Sequence, residues 1–327
     1  MNKSQNKIAI MAPHAHFGIT VDLLLPLMMW KLLYFWLGLC AIAHASPAVL
    51  EKRRNKWELL PPTPKELNGF VDSRFPLGGV NLWLNEYNKK PEIPLVFLHG
   101  GLGDHRYWNL VAQLAIDAGY YVILVDLPGH GRSDYRKEDT FTYEMYAKKT
   151  YDLLRSRGLG PDFIWLGWSD GAAATLAALL DPGIKMRIYK AFIFAGFQRP
   201  SDTNPNFSKM PIYADFVGRC RADFPTFNKG GGQNFDDFAQ KVVDLETNYP
   251  KFTDEQLGSI PGGKVAIVGA DRDEAVNLDV APRLNSLIKG STLAILKDVS
   301  HFAPVQDAKQ VWDAIVEFLK RPTAIEN

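Results

Sequence analysis

Trp165-Leu166-Gly167-Trp168-Ser169-Asp170-Gly171 is the stretch that decides the fold. The run before it, Asp162-Phe163-Ile164-Trp165-Leu166, reads as a short buried strand. The run after it, Ala172-Ala173-Ala174-Thr175-Leu176-Ala177-Ala178-Leu179-Leu180, reads as a buried helix. A serine between two glycines, where a strand passes straight into a helix, marks a turn so sharp that the serine sits at strained backbone angles. Side chains at Gly167 and Gly171 would clash across such a turn, hence glycine. The Ser169 hydroxyl is expected to stand clear of the sheet with a helix N-terminus behind it, an arrangement for attacking a carbonyl. The flanking strand and helix separate this pattern from a serine in an ordinary Gly-rich loop.

A serine alone is a poor nucleophile and needs a base, with an acid to orient that base. The chain has 7 histidines. His14, His16 and His44 lie in the N-terminal leader, His99 and His130 belong to Gly-flanked turns after strands, and His105 follows the first of those turns. His301, in Asp298-Val299-Ser300-His301-Phe302-Ala303-Pro304, comes just after the last expected strand. That places it on the C-terminal edge of a parallel sheet, the side on which Ser169 emerges, and makes it the expected base. The acid should follow the preceding strand, where Ala270-Asp271-Arg272-Asp273-Glu274 offers three carboxylates in the chain order Ser, acid, His. Asp273 is favoured. Asp271 abuts the strand and is expected to lie too deep, and Glu274 is the third candidate. The developing oxyanion needs two backbone N–H donors, expected from Asp170 and from Gly101 in the turn His99-Gly100-Gly101-Leu102. Trp168 and Leu102 are expected to line the substrate pocket. The Asp170 carboxylate has two readings: it stabilises the helix N-terminus, or it faces a cationic group such as an α-amino group.

Length and composition bound the rest. The chain has 327 residues, a formal net charge of +1 and 46% apolar residues, enough for one large α/β domain or two small ones. Near-neutral charge gives no basic footprint for nucleic acid. Cys40 and Cys220 form no metal spacing and no redox motif. At the N-terminus, Lys31, the apolar run Leu32–Ala43 and Ala43-His44-Ala45 read as a signal peptide, so residues 1–45 are expected to be a leader with its signal core over 28–45. Export to the periplasm or the medium follows. The alternative is a membrane anchor retained through residues 23–43. Residues 46–68, with Pro61-Pro62-Thr63-Pro64, are expected to be a linker. A hairpin over 69–87 is followed by strands alternating with helices, which implies a mostly parallel sheet covered on both faces. Residues 69–197 and 263–322 form this expected core. Residues 198–262 break the rhythm and are expected to be an inserted cap or lid, with a helix at Phe235–Thr247 and a Gly230-Gly231-Gly232 break. Its Phe207, Tyr213, Phe216, Phe224 and Phe227 suggest an apolar pocket or the packing of the lid itself.

These motifs together resemble the α/β-hydrolase superfamily, within its lipase-like members that carry a helical cap. The resemblance covers about Gly69 to Lys320 and rests on Leu98-His99-Gly100-Gly101, the turn Asp126-Leu127-Pro128-Gly129-His130-Gly131-Arg132-Ser133, Gly167-Trp168-Ser169-Asp170-Gly171, Asp271-Arg272-Asp273-Glu274 and Ser300-His301-Phe302. The Trp-Ser-Asp elbow and the Asp-Glu acid loop are similar to those of valacyclovir-hydrolase-like enzymes and bacterial esterases. One departure concerns the acid loop. Where the family carries glycine three residues before the acid, this chain has Ala270, with Gly269 one earlier. The resemblance implies the α/β-hydrolase fold, hydrolysis of an ester or amide through Ser169, His301 and Asp273, and no metal or organic cofactor; the alternatives are aminopeptidase-like action or carbon–carbon bond hydrolysis on the same three residues, or a non-catalytic ligand-binding receptor with this fold. The implied partner is a small-molecule ester or amide. A membrane is implied only if the N-terminal segment is retained, and nothing in the chain indicates its oligomeric state.

Overall fold

Leu95–Leu98, Val122–Val125 and Val265–Ala270 carry no polar side chain, and every residue in them is buried. Successive strand residues point to opposite faces, so such strands are stable only with cover on both sides. The computed structural model describes residues 55–227 and 234–322. The expected leader, the start of the linker and the Gly230-Gly231-Gly232 break lie outside the described residues.

The strands are β1 (Arg74–Leu77), β2 (Val80–Tyr87), β3 (Leu95–Leu98), β4 (Val122–Val125), β5 (Phe163–Trp168), β6 (Ile188–Phe194), β7 (Val265–Ala270) and β8 (Thr292–Leu296). They form one sheet in the order β1-β2-β4-β3-β5-β6-β7-β8. The β1–β2 hairpin turns at Gly78 and Gly79, whose φ values of 58° and 81° suit glycine. β2 pairs antiparallel with β4, and from β4 onward every pairing is parallel. All β3, β5, β7 and β8 C-termini therefore open on one edge.

The helix Asp170–Leu180 presents Gly171, Ala172, Ala173 and Ala174 in its buried first turns. Small side chains let its axis approach the sheet closely, and it packs against both β5 and β6. Between β6 and β7 the chain builds the cap, with helices Pro211–Phe227, Phe235–Asn248 and Asp254–Gly258. The first of these is not legible in the sequence. Gly218 and Pro225 read as breakers, yet Phe216, Cys220, Phe224 and Phe227 make a single buried stripe, and Pro225 lies in the last turn. Among the described residues no helix is long and apolar enough to cross a membrane.

The part of the expected linker that the structure describes, 55–68, is tied down and belongs to the same compact unit as the rest of the described chain. Gln306 Nε2 donates to the Leu59 carbonyl at 2.9 Å, and Arg219 of the cap donates to that of Leu60 at 3.0 Å. Asn109 Nδ2 donates to the Lys65 carbonyl at 2.8 Å. The anchor is charge. His105 is buried between Asp126 Oδ1, 2.8 Å from Nδ1, and Glu66 Oε2, 2.9 Å from Nε2, and Arg132 adds a 2.9 Å ion pair to Glu66. Proline-rich composition signals a segment without regular structure, not a segment without partners.

Burial alone would push the His105 imidazolium down, but the Asp126 charge and hydrogen bond, then Glu66 and Asp104, outweigh it and lift its pKa from 6.5 to about 9. A group raised in the folded state stabilises fully below its unfolded value and loses that contribution as pH rises through the folded one. A shift of this size is worth on the order of 3 kcal/mol. Urea midpoints are therefore expected to fall between pH 6.5 and about pH 9. A His105→Gln variant should flatten that slope, and an equal slope in the variant would refute the assignment.

Candidate active site

Ser169 stands at the junction of β5 and the helix Asp170–Leu180 with φ 55° and ψ −118°, the strained turn expected of it. The steric reason is visible. A Cβ on Gly167 would lie 2.4 Å from the Gly171 carbonyl oxygen, and one on Gly171 would lie 2.2 Å from that of Leu98. Ser169 N–H donates to Phe194 O at 3.0 Å, and its carbonyl accepts from Ala172 and Ala173 at 2.8 and 3.0 Å. The side chain is half-buried between fully buried neighbours, at the floor of two cavities.

His301 follows β8 and lines both of those cavities with Ser169. Its Nδ1 lies 3.1 and 3.2 Å from the two carboxylate oxygens of Asp273, which follows β7. Asp273 Oδ1 also accepts from the Ala275 and Val276 N–H groups at 2.9 and 2.8 Å, which fixes its rotamer. Of the acid loop's three carboxylates, only Asp273 hydrogen-bonds the imidazole. Asp271 Oδ1 instead accepts from the Asp298 N–H at 2.8 Å, and Glu274 Oε2 accepts from the His301 backbone N–H at 3.1 Å. Burial would push the His301 imidazolium down. The Asp273 charge and hydrogen bond, with lesser contributions from Glu274 and Asp170, raise it above 6.5 instead.

The other histidines of the described residues serve loops. His99 Nε2 accepts from Leu127 N–H at 3.0 Å, so its Nδ1 carries the proton toward Gly100 O at 2.8 Å. His130 Nδ1 donates to Pro128 O at 3.1 Å.

Gly101, Leu102 and Trp168 line the smaller cavity, of about 40 Å³, with Ser169 and Phe207. The Trp168 indole is almost wholly buried and packs at 5.6 Å from the His301 ring and 5.9 Å from Phe302. The larger cavity, of about 360 Å³, is lined by Ser169, Asp170, Phe207, Tyr213, Glu246 and His301 among others. The lid aromatics divide their work. Phe207, Tyr213 and Phe216 face these cavities, whereas Phe224 stacks on Phe238 and Phe227 lies under Arg106 and Arg132.

Glu246, on the lid helix Phe235–Asn248, is the residue that sequence reading passed over. Its Oε1 and the Asp170 Oδ2 close on the same space, 2.7 and 2.6 Å from the point a Cβ on Gly101 would occupy. Asp170 Oδ1 accepts from Tyr143 OH at 2.9 Å, while Oδ2 is buried with no partner. Burial, and then the Asp170 charge, pushes the Glu246 carboxyl well above the usual range. Burial likewise raises Asp170 to about 6, against the Tyr143 hydrogen bond and the His301 charge. A signal was present. Glu246 lies four residues beyond Val242 and eight beyond Phe238, on the helix's apolar stripe, where a carboxylate is out of place.

The sequence profile described as the alpha/beta hydrolase family matches residues 95–314. An uncharacterized hydrolase of Bacillus subtilis, YugF, is 22% identical over 270 residues, 76% of this chain and 97% of that protein. A 2-hydroxy-6-oxononadienedioate/2-hydroxy-6-oxononatrienedioate hydrolase of Escherichia coli is 25% identical over 255 residues, covering 70% and 87% of the two chains. Among solved structures, a meta-cleavage product hydrolase from Pseudomonas fluorescens superposes with a TM-score of 0.62 at 16% identity, over 76% of this chain and 97% of that one.

Proposed function

The chain belongs to the alpha/beta hydrolase family, and from that premise we propose that it is a serine hydrolase, a carboxylesterase acting on a small-molecule ester or amide through an acyl-enzyme. The observation that carries the reading is His301, held through Nδ1 by Asp273 at 3.1 Å while it shares both cavities with Ser169. In this reading Ser169 Oγ attacks the carbonyl carbon and its proton passes to His301 Nε2, the nitrogen not committed to Asp273. The imidazolium is stabilised by Asp273, and the oxyanion accepts from the Gly101 and Asp170 N–H groups, each worth about 3 kcal/mol in such sites. The leaving group departs with the proton from Nε2. Water then repeats the sequence on the acyl-enzyme.

A fluorophosphonate probe is expected to label Ser169, read as a single mass increment on the peptide containing it. An unlabelled Ser169 in folded protein would favour a non-catalytic binding protein on the same fold. Carbon–carbon bond hydrolysis is the second reading. It draws support from the Escherichia coli relative and is tested by offering a dienedioate ketone alongside simple esters.

Asp170 and Glu246 support a finer reading, substrates that carry a protonated amine near the carbonyl. His301 is the one basic side chain among the described residues lining the two cavities, so the acidic pair has no other cation at hand. Phenylalanine methyl ester is expected to give a kcat/KM at least tenfold above its des-amino counterpart, and equal values would count against the reading. Export remains proposed on the pattern ending at Ala45 alone.

A further inference from the structure

Two loops must stay in register for an imidazole to be poised: the acid loop after β7 and the histidine loop after β8. Asp273 joins them through the ring. A second link runs one residue on, where Glu274 Oε2 accepts the His301 backbone N–H at 3.1 Å. The other oxygen of that carboxylate, Oε1, is buried and has no partner. A carboxylate that spends one oxygen on a backbone N–H and leaves the other unpaired in the interior is costly unless its charge is used. The His301 charge acts on this carboxylate. The charged groups that act on this pair are Asp273 from the same loop and Asp170 from the helix behind the nucleophile, and among the described residues His301 is the cation that pulls most on Glu274.

We propose that Glu274 is a positioning residue for His301: its carboxylate fastens the histidine's backbone to the acid loop and sets a second negative charge beside the imidazole, which strengthens it as a base. The inference rests on the reading of His301 as the proton acceptor. Burial and the Asp273 charge push the Glu274 carboxyl up to about 7, against the pull of His301. The sign follows. Below about pH 7 the carboxyl is neutral and the imidazolium loses a stabilising neighbour. Above it the charge is present and favours the imidazolium that forms as Ser169 gives up its proton.

Glu274→Gln and Glu274→Ala separate the two functions. Glutamine keeps an oxygen for the His301 N–H and removes the charge, so the acidic limb of kcat/KM is expected to move down by about half a unit to one unit, with kcat lowered several-fold and KM unchanged. Alanine removes both, and kcat is expected to fall at least tenfold below the glutamine variant. A limb in Glu274→Gln that coincides with the wild-type limb would overturn the charge role, and equal kcat in the two variants would overturn the fastening role. The pKa of His301 itself, followed by NMR of histidine-labelled protein, supplies a reading independent of turnover. It is expected to drop in Glu274→Gln by the same amount, and an unchanged value overturns the proposal even in a protein that hydrolyses nothing. Absence of turnover with a normal drop would instead count against the hydrolase reading.

Discussion

Ser169→Ala is expected to lower kcat on a p-nitrophenyl ester by roughly 10⁴-fold or more, with little change in KM. The substitution removes the attacking oxygen and nothing else of note. Ser169 holds the elbow through its backbone, by N–H to Phe194 O and by its carbonyl to Ala172 and Ala173, and alanine keeps all of these. The strained φ of 55° costs alanine about as much as serine, so the variant should fold and melt near the wild type. Residual rate over water is expected from the proposed oxyanion donors, the Gly101 and Asp170 N–H groups, which the substitution does not alter. Steady-state kinetics and a thermal melt on the same preparation decide the matter. Full retained activity in a folded variant would end the proposal that this serine attacks.

Asp273→Asn is expected to cost about 10⁴-fold in kcat while leaving the cavity walls in place. The carboxylate accepts from His301 Nδ1 and from two backbone N–H groups, so the neutral imidazole is held in the tautomer that leaves Nε2 unprotonated. An asparagine oriented by the Ala275 and Val276 N–H groups can still accept there, but it carries no charge to stabilise the imidazolium. The pH profile should report the same loss. His301 must be neutral to take a proton, so wild-type kcat/KM is expected to fall as pH drops through a pKa raised above 6.5, mainly by Asp273 working against burial. In Asp273→Asn that limb should move to lower pH. An unchanged limb would mean that another group sets it. Parallel Asp271→Asn protein, altered at a carboxylate that accepts from Asp298 N–H instead, should keep most of the activity.

Much of the sheet was legible because its strands are short, apolar and bounded by turn residues. The β1–β2 hairpin lies within the expected 69–87, and β5 takes up the apolar run expected before the elbow. The helix Pro211–Phe227 was not legible, since Gly218 and Pro225 interrupt its local pattern and only the contact of its aromatic stripe with the core makes it a helix. Likewise nothing local distinguishes residues 55–68 from a linker, because Glu66 acquires its meaning from His105, 39 residues away.

By itself the sequence determined the elbow. The overlap of a Cβ with a carbonyl oxygen at Gly167 and Gly171 is a matter of a few neighbouring atoms, and a few residues are enough to state it. Chain order and strand count then carried Ser169, the acid loop and His301 to one edge of the sheet. Which carboxylate meets the imidazole, how Glu274 fastens its backbone, and how Glu246 comes from the lid to face Asp170 were decided only by tertiary structure. Those pairings span 27 to 76 residues of chain. Their strength falls off over a few ångströms, and only the packing of loop on loop and lid on core sets distances that small.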